Sequence, residues 1–420
     1  MKNISRRSFL KNVGVAGLVA QAGVLGSPLK AAGLNWGKYS PSLVCIYLRG
    51  GADWLNMVIP YKDRDYISVR PTLALGEEHG IVKLDGKWGL HPSLSAFKTL
   101  YSEKLLAPIV SVGSPHTTRS HFDAQDFMEF GAPGDRTVRT GWLNRYLTAT
   151  AKKGGSEFRS MAMQELLPRS LRGNFPVLAV PSGMSSKQGA KTLDRFEEFY
   201  GADMGMDAKP EGGEMEGARG NDPSGIVHSG RVTIDTLRRF QEIVAKGKSE
   251  VTYPKGRFGQ RMQSIAKVIK AGEGMEIAGV DYNGWDHHAS QGGVEGRQAT
   301  MLKDLSDCIA AFCKDMGPQM SNTTVIVMTE FGRTVNENGN GGTDHGHGGG
   351  TFVIGSGVKG GKVHGSWRGL KAETLYEGRD LQVTTDFRDV FHSVLQGTFG
   401  FKCSKDFFPG YGSRKISGLY

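Results

Sequence analysis

The sequence predicts an α/β protein whose centre is a mostly parallel sheet with helices on both faces. Three observations carry this. An unbroken apolar run at 43–48 (LVCIYL) and a β-branched run at 323–327 (TTVIV) have the length and composition of strands covered on both sides. Amphipathic helical stretches fall between such runs, as at 257–271, where Met262, Ile265, Val268 and Ile269 recur at helical spacing. The runs also break into turns rich in glycine, acids or histidine, and in open α/β sheets ligands bind at the ends of parallel strands.

The chain has 420 residues, enough to bury a sizeable core, and we read 33–420 as one domain. Its 38% hydrophobic and 22% charged content is that of a soluble globular protein. Glycine, with 60 residues, stands at about twice the usual share and collects in loops, so long connections around a compact sheet are expected. The longest is a loop-rich excursion near 201–230, where Gly, Glu, Asp and Met gather without apolar period. Residues 1–32 read as a signal peptide for the twin-arginine export machinery. The stretch Ser5-Arg6-Arg7-Ser8-Phe9-Leu10-Lys11 is followed by a weakly apolar run and small residues at Ala31 and Ala32. That run is too short to leave a transmembrane span in the mature chain, which is expected in the periplasm or otherwise exported. Cleavage there removes five basic residues and no acidic one, lowering the formal charge from +10 to +5. No basic-aromatic array accompanies the remaining charge, so nucleic acid is not an expected partner. Cys45, Cys308, Cys313 and Cys403 are dispersed and read as buried free thiols.

In chain order, the first strand at 43–48 runs into Arg49-Gly50-Gly51-Ala52-Asp53-Trp54-Leu55-Asn56. Asp53 and Asn56 read as ligands or substrate contacts, or else the segment is a plain turn with Asp53 as a helix cap. Arg49 reads either as a bidentate partner of phosphate or sulfate or as half of a structural ion pair. A helix at 93–106 leads to a strand at 107–112, then to Ser114-Pro115-His116-Thr117-Thr118-Arg119-Ser120-His121. Ser120 has the type of an N-cap for the helix at 122–130, while Arg119 and His121 are alternatives for facing the cleft. Helices at 141–152, 193–200 and 231–246 and a strand at 176–181 come next. The strand at 275–280 ends in a loop carrying Asp286 and His288, two apart and free to turn to one side. A crossover helix at 294–316 then returns to the strand at 323–327, placing Glu330 and Arg333 at the same edge as Asp286 and His288. The Asn/Gly-rich loop after it delivers Asp344, His345 and His347 within four residues, before a strand at 351–354 and a last helix at 387–396. Carboxylate with imidazole suits zinc, manganese or iron more than a purely oxygen-seeking cation. The plainer reading is a polar edge where Asp344 caps amides and the histidines are solvated.

These segments carry a resemblance. LRGGADWLN with Pro60-Tyr61 after it, SHFDAQDFMEFG, GWLNRYL, WDHH, TEFGRT, GGTDHGHGG, TTDFRDV and FPGY together resemble the DUF1501 family of exported bacterial proteins, placed near the alkaline phosphatase and sulfatase superfamily. The resemblance covers nearly all the mature chain and implies an alkaline-phosphatase-like fold. It implies Asp286 and His288 as one metal pair, Glu330 as the acid after the next strand, and His345 or His347 as the late histidine. Where the family usually has Asp-Thr-His, this chain has Asp286-His287-His288. Superfamily enzymes carry an aspartate at the end of strand one and a Ser, Thr or Cys nucleophile soon after; here Arg49-Gly50-Gly51 stands there and Asp53 follows. They also have histidine after the second acid, where this chain has Phe331.

The expectation is an exported, metal-dependent hydrolase acting on phosphate or sulfate esters. Asp286, His288, Glu330, Asp344, His345 and His347 form the candidate ligand set for a divalent ion. Asp53, Arg49 and Arg333 are the candidate catalytic groups, the arginines offsetting anionic charge. The alternative is an exported binding or assembly protein that keeps the fold without catalysis.

Overall fold

The computed structural model describes residues 40–152, 156–184, 186–202 and 223–420. The expected leader at 1–32 and most of the expected excursion at 201–230 lie outside the described residues. The central sheet has eight strands: β1 (Ser42–Arg49), β2 (Leu106–Gly113), β3 (Ser160–Ala162), β4 (Leu178–Ala179), β5 (Ile277–Asn283), β6 (Thr323–Met328), β7 (Gly349–Ile354) and β8 (Thr385–Asp386). Their spatial order is β8-β2-β7-β6-β1-β5-β3-β4. Every neighbouring pair is parallel except those of β7, which runs antiparallel to both β2 and β6. Because β5 and β6 both pair with β1 in parallel, the loops that follow these strands leave from one edge.

The longer helices are α1 (His121–Phe130), α2 (Trp142–Ala149), α3 (Lys187–Ala202), α4 (Pro223–Lys246), α5 (Arg257–Ala271), α6 (Arg297–Met316) and α7 (Phe387–Phe399). Strand β1 alternates between the two faces. Val44, Ile46 and Leu48 pack with Met262, Ile265, Leu305 and Phe312 of α5 and α6. Leu43, Cys45 and Tyr47 pack with Trp142, Phe391 and Val394 of α2 and α7. Burying each such side chain contributes about 1.5–3 kcal/mol, and Trp142 stacks on Phe391 at 4.2 Å between ring centres. Among the described residues no helix is long and apolar enough to cross a membrane. All four cysteines are free thiols, three buried and Cys403 half-buried.

The elements differ from expectation where backbone geometry overrides pattern. The helix expected at 93–106 shortens to Phe97–Ser102, because Lys104 adopts φ 60° and the next residues join β2. The helix expected from 294 starts at Arg297, after Gly292 and Gly296 take positive φ. In the other direction, α4 begins at Pro223, inside the expected excursion; proline is at home in a first helical turn. Strand β3, three residues long, is too short for a period and is fixed by its pairing with β5.

Beneath the strand ends lies a buried polar layer, and it holds Asp53. Arg70 donates to both Asp53 oxygens at 2.6 and 3.0 Å, and Gln291 Nε2 donates to Oδ2 at 2.6 Å. Arg70 also donates to Asn56 Oδ1, Thr334 O and Val335 O, all at 2.8 Å. Both members of the ion pair are essentially shielded from solvent. Removing one member leaves the other charged and unpaired, so Arg70→Leu should cost about 3–5 kcal/mol in urea unfolding. His287 is also buried here, and neither ring nitrogen has a hydrogen-bond partner. Burial, then the charges of Arg297 and Arg333, push its pKa down to about 4 from 6.5. The unfolded chain therefore binds this proton more readily, and the contribution of His287 to stability falls as pH drops from about 6.5 towards about 4. In EDTA, His287→Phe should narrow the loss of stability between pH 7 and pH 5 by on the order of 1–2 kcal/mol, read from urea midpoints.

Candidate metal centre

Five segments meet at the edge where β1, β2, β5 and β6 end and β7 begins. The turn after β1 is two glycines because the backbone at Asp286 presses on Gly50 and the Phe331 ring on Gly51. Gly50 has φ +123°, and a Cβ there would stand 2.5 Å from the backbone nitrogen of Asp286. Arg333, fully buried, fills the space between the segments. Its guanidinium donates to the carbonyls of Gly51 (2.5 Å), Thr343 (3.0 Å), Trp285 (3.2 Å) and Gly50, and to Asp286 Oδ1 (2.5 Å). The loop before β7 can lie against this strand end because Gly346 has no side chain; a Cβ there would sit 2.4 Å from the backbone carbon of Arg333.

Asp286 is the hub. Its Oδ2 lies 3.3 Å from His121 Nε2, and its Oδ1 lies 3.0 Å from His288 Nε2 and 3.2 Å from His345 Nε2. His121, Asp286 and His345 each offer a ligand atom within 4.8 Å of the others. The outer nitrogen of each ring is committed to an acceptor: His121 Nδ1 to Glu330 Oε1 at 2.8 Å, His288 Nδ1 to Asp344 Oδ1 at 3.1 Å, and His345 Nδ1 to the Arg119 carbonyl at 2.8 Å. With a hydrogen on each Nδ1, the neutral rings turn their Nε2 lone pairs towards the Asp286 carboxylate. His288 Nε2 and His345 Nε2 then face each other at 2.9 Å as two acceptors, and His121 Nε2 is buried with no hydrogen-bond partner. Such an acceptor-only cluster repels itself unless positive charge sits among the lone pairs. Rings held by carboxylate or carbonyl through the far nitrogen are the usual outer support of a metal site. The donor set of imidazole nitrogens and one carboxylate suits zinc, manganese or iron.

The electrostatics keep these groups ready to accept a cation. Burial alone would raise the Asp286 pKa, but the Arg333 hydrogen bond and charge, with His121 and His288, hold it down to about 2. Glu330 is likewise lowered against its burial by hydrogen bonds from His121 and Gln125. Asp344 is lowered by hydrogen bonds from Asn338 and His288. His345 is lowered by burial, then by the charges of His121 and Arg333, which favours its neutral, ligating form. His121 is raised despite burial, because Glu330 and Asp286 attract its proton. A metal would have to displace that proton.

Of the expected site residues, Asp286, His288, Asp344 and His345 converge, with Asp344 in contact through His288. Glu330 lies one shell further back: fully buried, it accepts from His121, from Gln125 Nε2 at 2.9 Å and from Gly50 N at 2.9 Å. Arg333 holds Asp286 and spends its donors on protein acceptors, so it is a positioning group. Three expected residues do not join the cluster. His347 is buried and stacks on Tyr376 at 4.4 Å. Asp53 is neutralised by Arg70 in the layer below. Arg49 pairs with Glu129 at 2.7 Å and Asp281 at 2.7 and 3.0 Å and covers the Tyr47 ring at 4.1 Å, so its charge is already matched. Conversely His121, expected only as an alternative for facing the cleft, opens α1 and contributes a central ring. Ser120 makes no capping side-chain bond. The sequence signal for His121 was its place just after a strand, at the start of a helix.

Comparison with solved structures finds a 2-O GAG sulfatase at 11% identity and TM-score 0.36, covering 91% of this chain and 76% of the other. It also finds a phosphonate monoester hydrolase from Silicibacter pomeroyi at 9% identity and TM-score 0.32, covering 91% and 78%. Among curated proteins, none matches this chain. Residues 40–406 match the family described as "Protein of unknown function (DUF1501)", so the chain is a member of the DUF1501 family.

Proposed function

We propose that this chain is a metal-dependent hydrolase of phosphate or sulfate esters, of alkaline-phosphatase-like fold, exported through the twin-arginine pathway by its first 32 residues. The observation that carries the chemistry is the convergence of three imidazole lone pairs on one carboxylate, each ring fixed from behind by an acceptor. His121, Asp286 and His345 would hold a divalent ion, with His288 beside them. When bound, such an ion supplies Lewis acidity towards an ester oxygen and lowers the pKa of bound water.

The chain's own residues do the positioning. Arg333 aims Asp286, Glu330 fixes the tautomer of His121, Asp344 that of His288, and the Arg119 carbonyl that of His345. The turn after β1 offers Gly50, Gly51 and Ala52, and Asp53 is buried beneath it, so water is favoured as the attacking group over a covalent route through a side chain. The half-exposed Asp286 and His288 leave a face through which an ester could approach.

Protein purified without chelator should contain zinc, manganese or iron, and the ion should raise the thermal midpoint. Asp286→Ala should lose both the ion and the turnover of a panel of phosphomonoesters, phosphodiesters and sulfate esters. Glu330→Gln should weaken metal binding by about 10–100-fold through the orientation of His121. Bound metal with no turnover of any ester would instead support a non-catalytic binding protein, and absence of metal would remove the hydrolase reading.

A further inference from the structure

We propose that Phe331 is a positioning residue of the metal centre: its ring is the wedge that spaces the His121 and His345 imidazoles around a single divalent ion and closes their covered side to a second one. This rests on the reading of the strand-end edge as a metal centre and goes beyond it by naming what sets the ring spacing and how many ions the site takes.

Phe331 is an apolar side chain in a polar place. It follows Glu330 in the segment just beyond β6 and is 4% exposed. Yet among the described residues it joins none of the three apolar clusters that make up the core. Its ring lies instead against the ligands, centred 4.9 Å from the His121 ring and 5.0 Å from the His345 ring, at interplanar angles of 32° and 40°. Those two imidazoles stand 4.3 Å apart at 72°, so the three rings form a compact triangle. Separations of this size are those of packed aromatic pairs. His288 joins from the open side, its ring 4.6 Å from that of His345.

The backbone leaves the Phe331 ring little freedom. On one side of it Glu330 is anchored to Gly50 N at 2.9 Å. On the other Gly332 donates to the His347 carbonyl at 3.1 Å and accepts from Gly346 N at 2.9 Å. Gly51 makes room for the ring, since a Cβ there would stand 2.5 Å from Phe331 Cε2. A ring fixed at its base and backed by a turn cannot retreat, so the two imidazoles that pack on it hold their angle before any ion arrives. Ligands ordered in advance lose less freedom on binding.

The limit of one ion follows from the donors. A pair of catalytic ions stands about 3.5–4 Å apart, and each needs ligands of its own. The inward-facing atoms of His121, Asp286 and His345 lie within 4.8 Å of one another and enclose one position. On the covered side the neighbour is Phe331, which has neither a lone pair nor a polar hydrogen. Glu330 Oε1, next in the chain, already accepts from His121, Gln125 and Gly50. On the open side Asp344 Oδ1 is taken by His288 at 3.1 Å and Asn338 Nδ2 at 3.0 Å.

The test uses full-length protein stripped with a chelator and reloaded with Mn²⁺. The wild type should bind one ion per chain by elemental analysis and show the electron paramagnetic resonance spectrum of an isolated ion, without the splitting of a coupled pair. Phe331→Leu and Phe331→Met keep an apolar side chain and remove the ring, and either suffices if the other does not fold. Each should bind Mn²⁺ about 10–100-fold more weakly. The rise in thermal midpoint on adding the ion should shrink accordingly, whereas a merely structural loss lowers the apo and loaded protein alike and leaves that rise unchanged. Wild-type affinity in a folded variant would overturn the wedge, and two ions per chain or a coupled-pair spectrum would overturn the limit of one. One Phe331-dependent ion without turnover of any phosphate or sulfate ester would sink the hydrolase reading and leave this proposal standing, while two ions with turnover would do the reverse. Protein that takes up neither Mn²⁺ nor zinc would overturn both.

Discussion

The buried guanidinium of Arg333 is the tie on which the strand-end architecture depends. It takes carbonyls from the turn after β1, from the loop after β5 and from the loop before β7, and it ends on the Asp286 carboxylate. A planar group with five N–H donors can satisfy acceptors that no short side chain could reach together, and it carries its charge without risk of deprotonation. Its burial is tolerable because those donors are used and because Asp286 compensates the charge. Gly50 and Gly346 follow from the same constraint, since backbone must pass close to backbone for one side chain to bridge these segments.

From that tie comes the chemistry of the edge. Asp286 is held ionised and oriented, and the three imidazoles surround it with their protons turned outward. Each outer partner is a different kind of group: a buried carboxylate for His121, an exposed carboxylate for His288, a backbone carbonyl for His345. All three do the same work, setting the tautomer and presenting Nε2 inward. Burial separates the rings further. His121 and His345 are mostly covered, whereas His288 is nearly half exposed, so the cluster has a closed side and an open one.

Much of this was legible in the residues. The apolar run at 43–48 and the β-branched run at 323–327 are β1 and β6. The inference that a crossover would bring the Asp286/His288 loop to the same edge as Asp344/His345 agrees with β5 and β6 flanking β1 in parallel. What stayed hidden was partnership. Asp53 and Arg49 have the residue types of catalytic groups, but Arg70 lies 17 positions from the first, and Asp281 lies 232 from the second. No local pattern announces either pairing. His347 shares its loop with His345, yet it faces Tyr376; a loop of glycines and turns has no period from which side-chain direction can be read. His121 is hard to read for a related reason, since a histidine opening an amphipathic helix looks the same whether it faces water or an ion.

The inward-facing nitrogens come from positions 121, 288 and 345, on segments that follow different strands: the first turn of α1 after β2 and the loops after β5 and β6. Those positions come together only through the pairing of β2, β5 and β6 within one sheet, so closing the pocket joins residues from 121 to 345. An ion held there would tie the three segments to one another. A slipped register in any one of β2, β5 or β6 would leave only a fragment of the donor set, so the same ion would report on the pairing of all three.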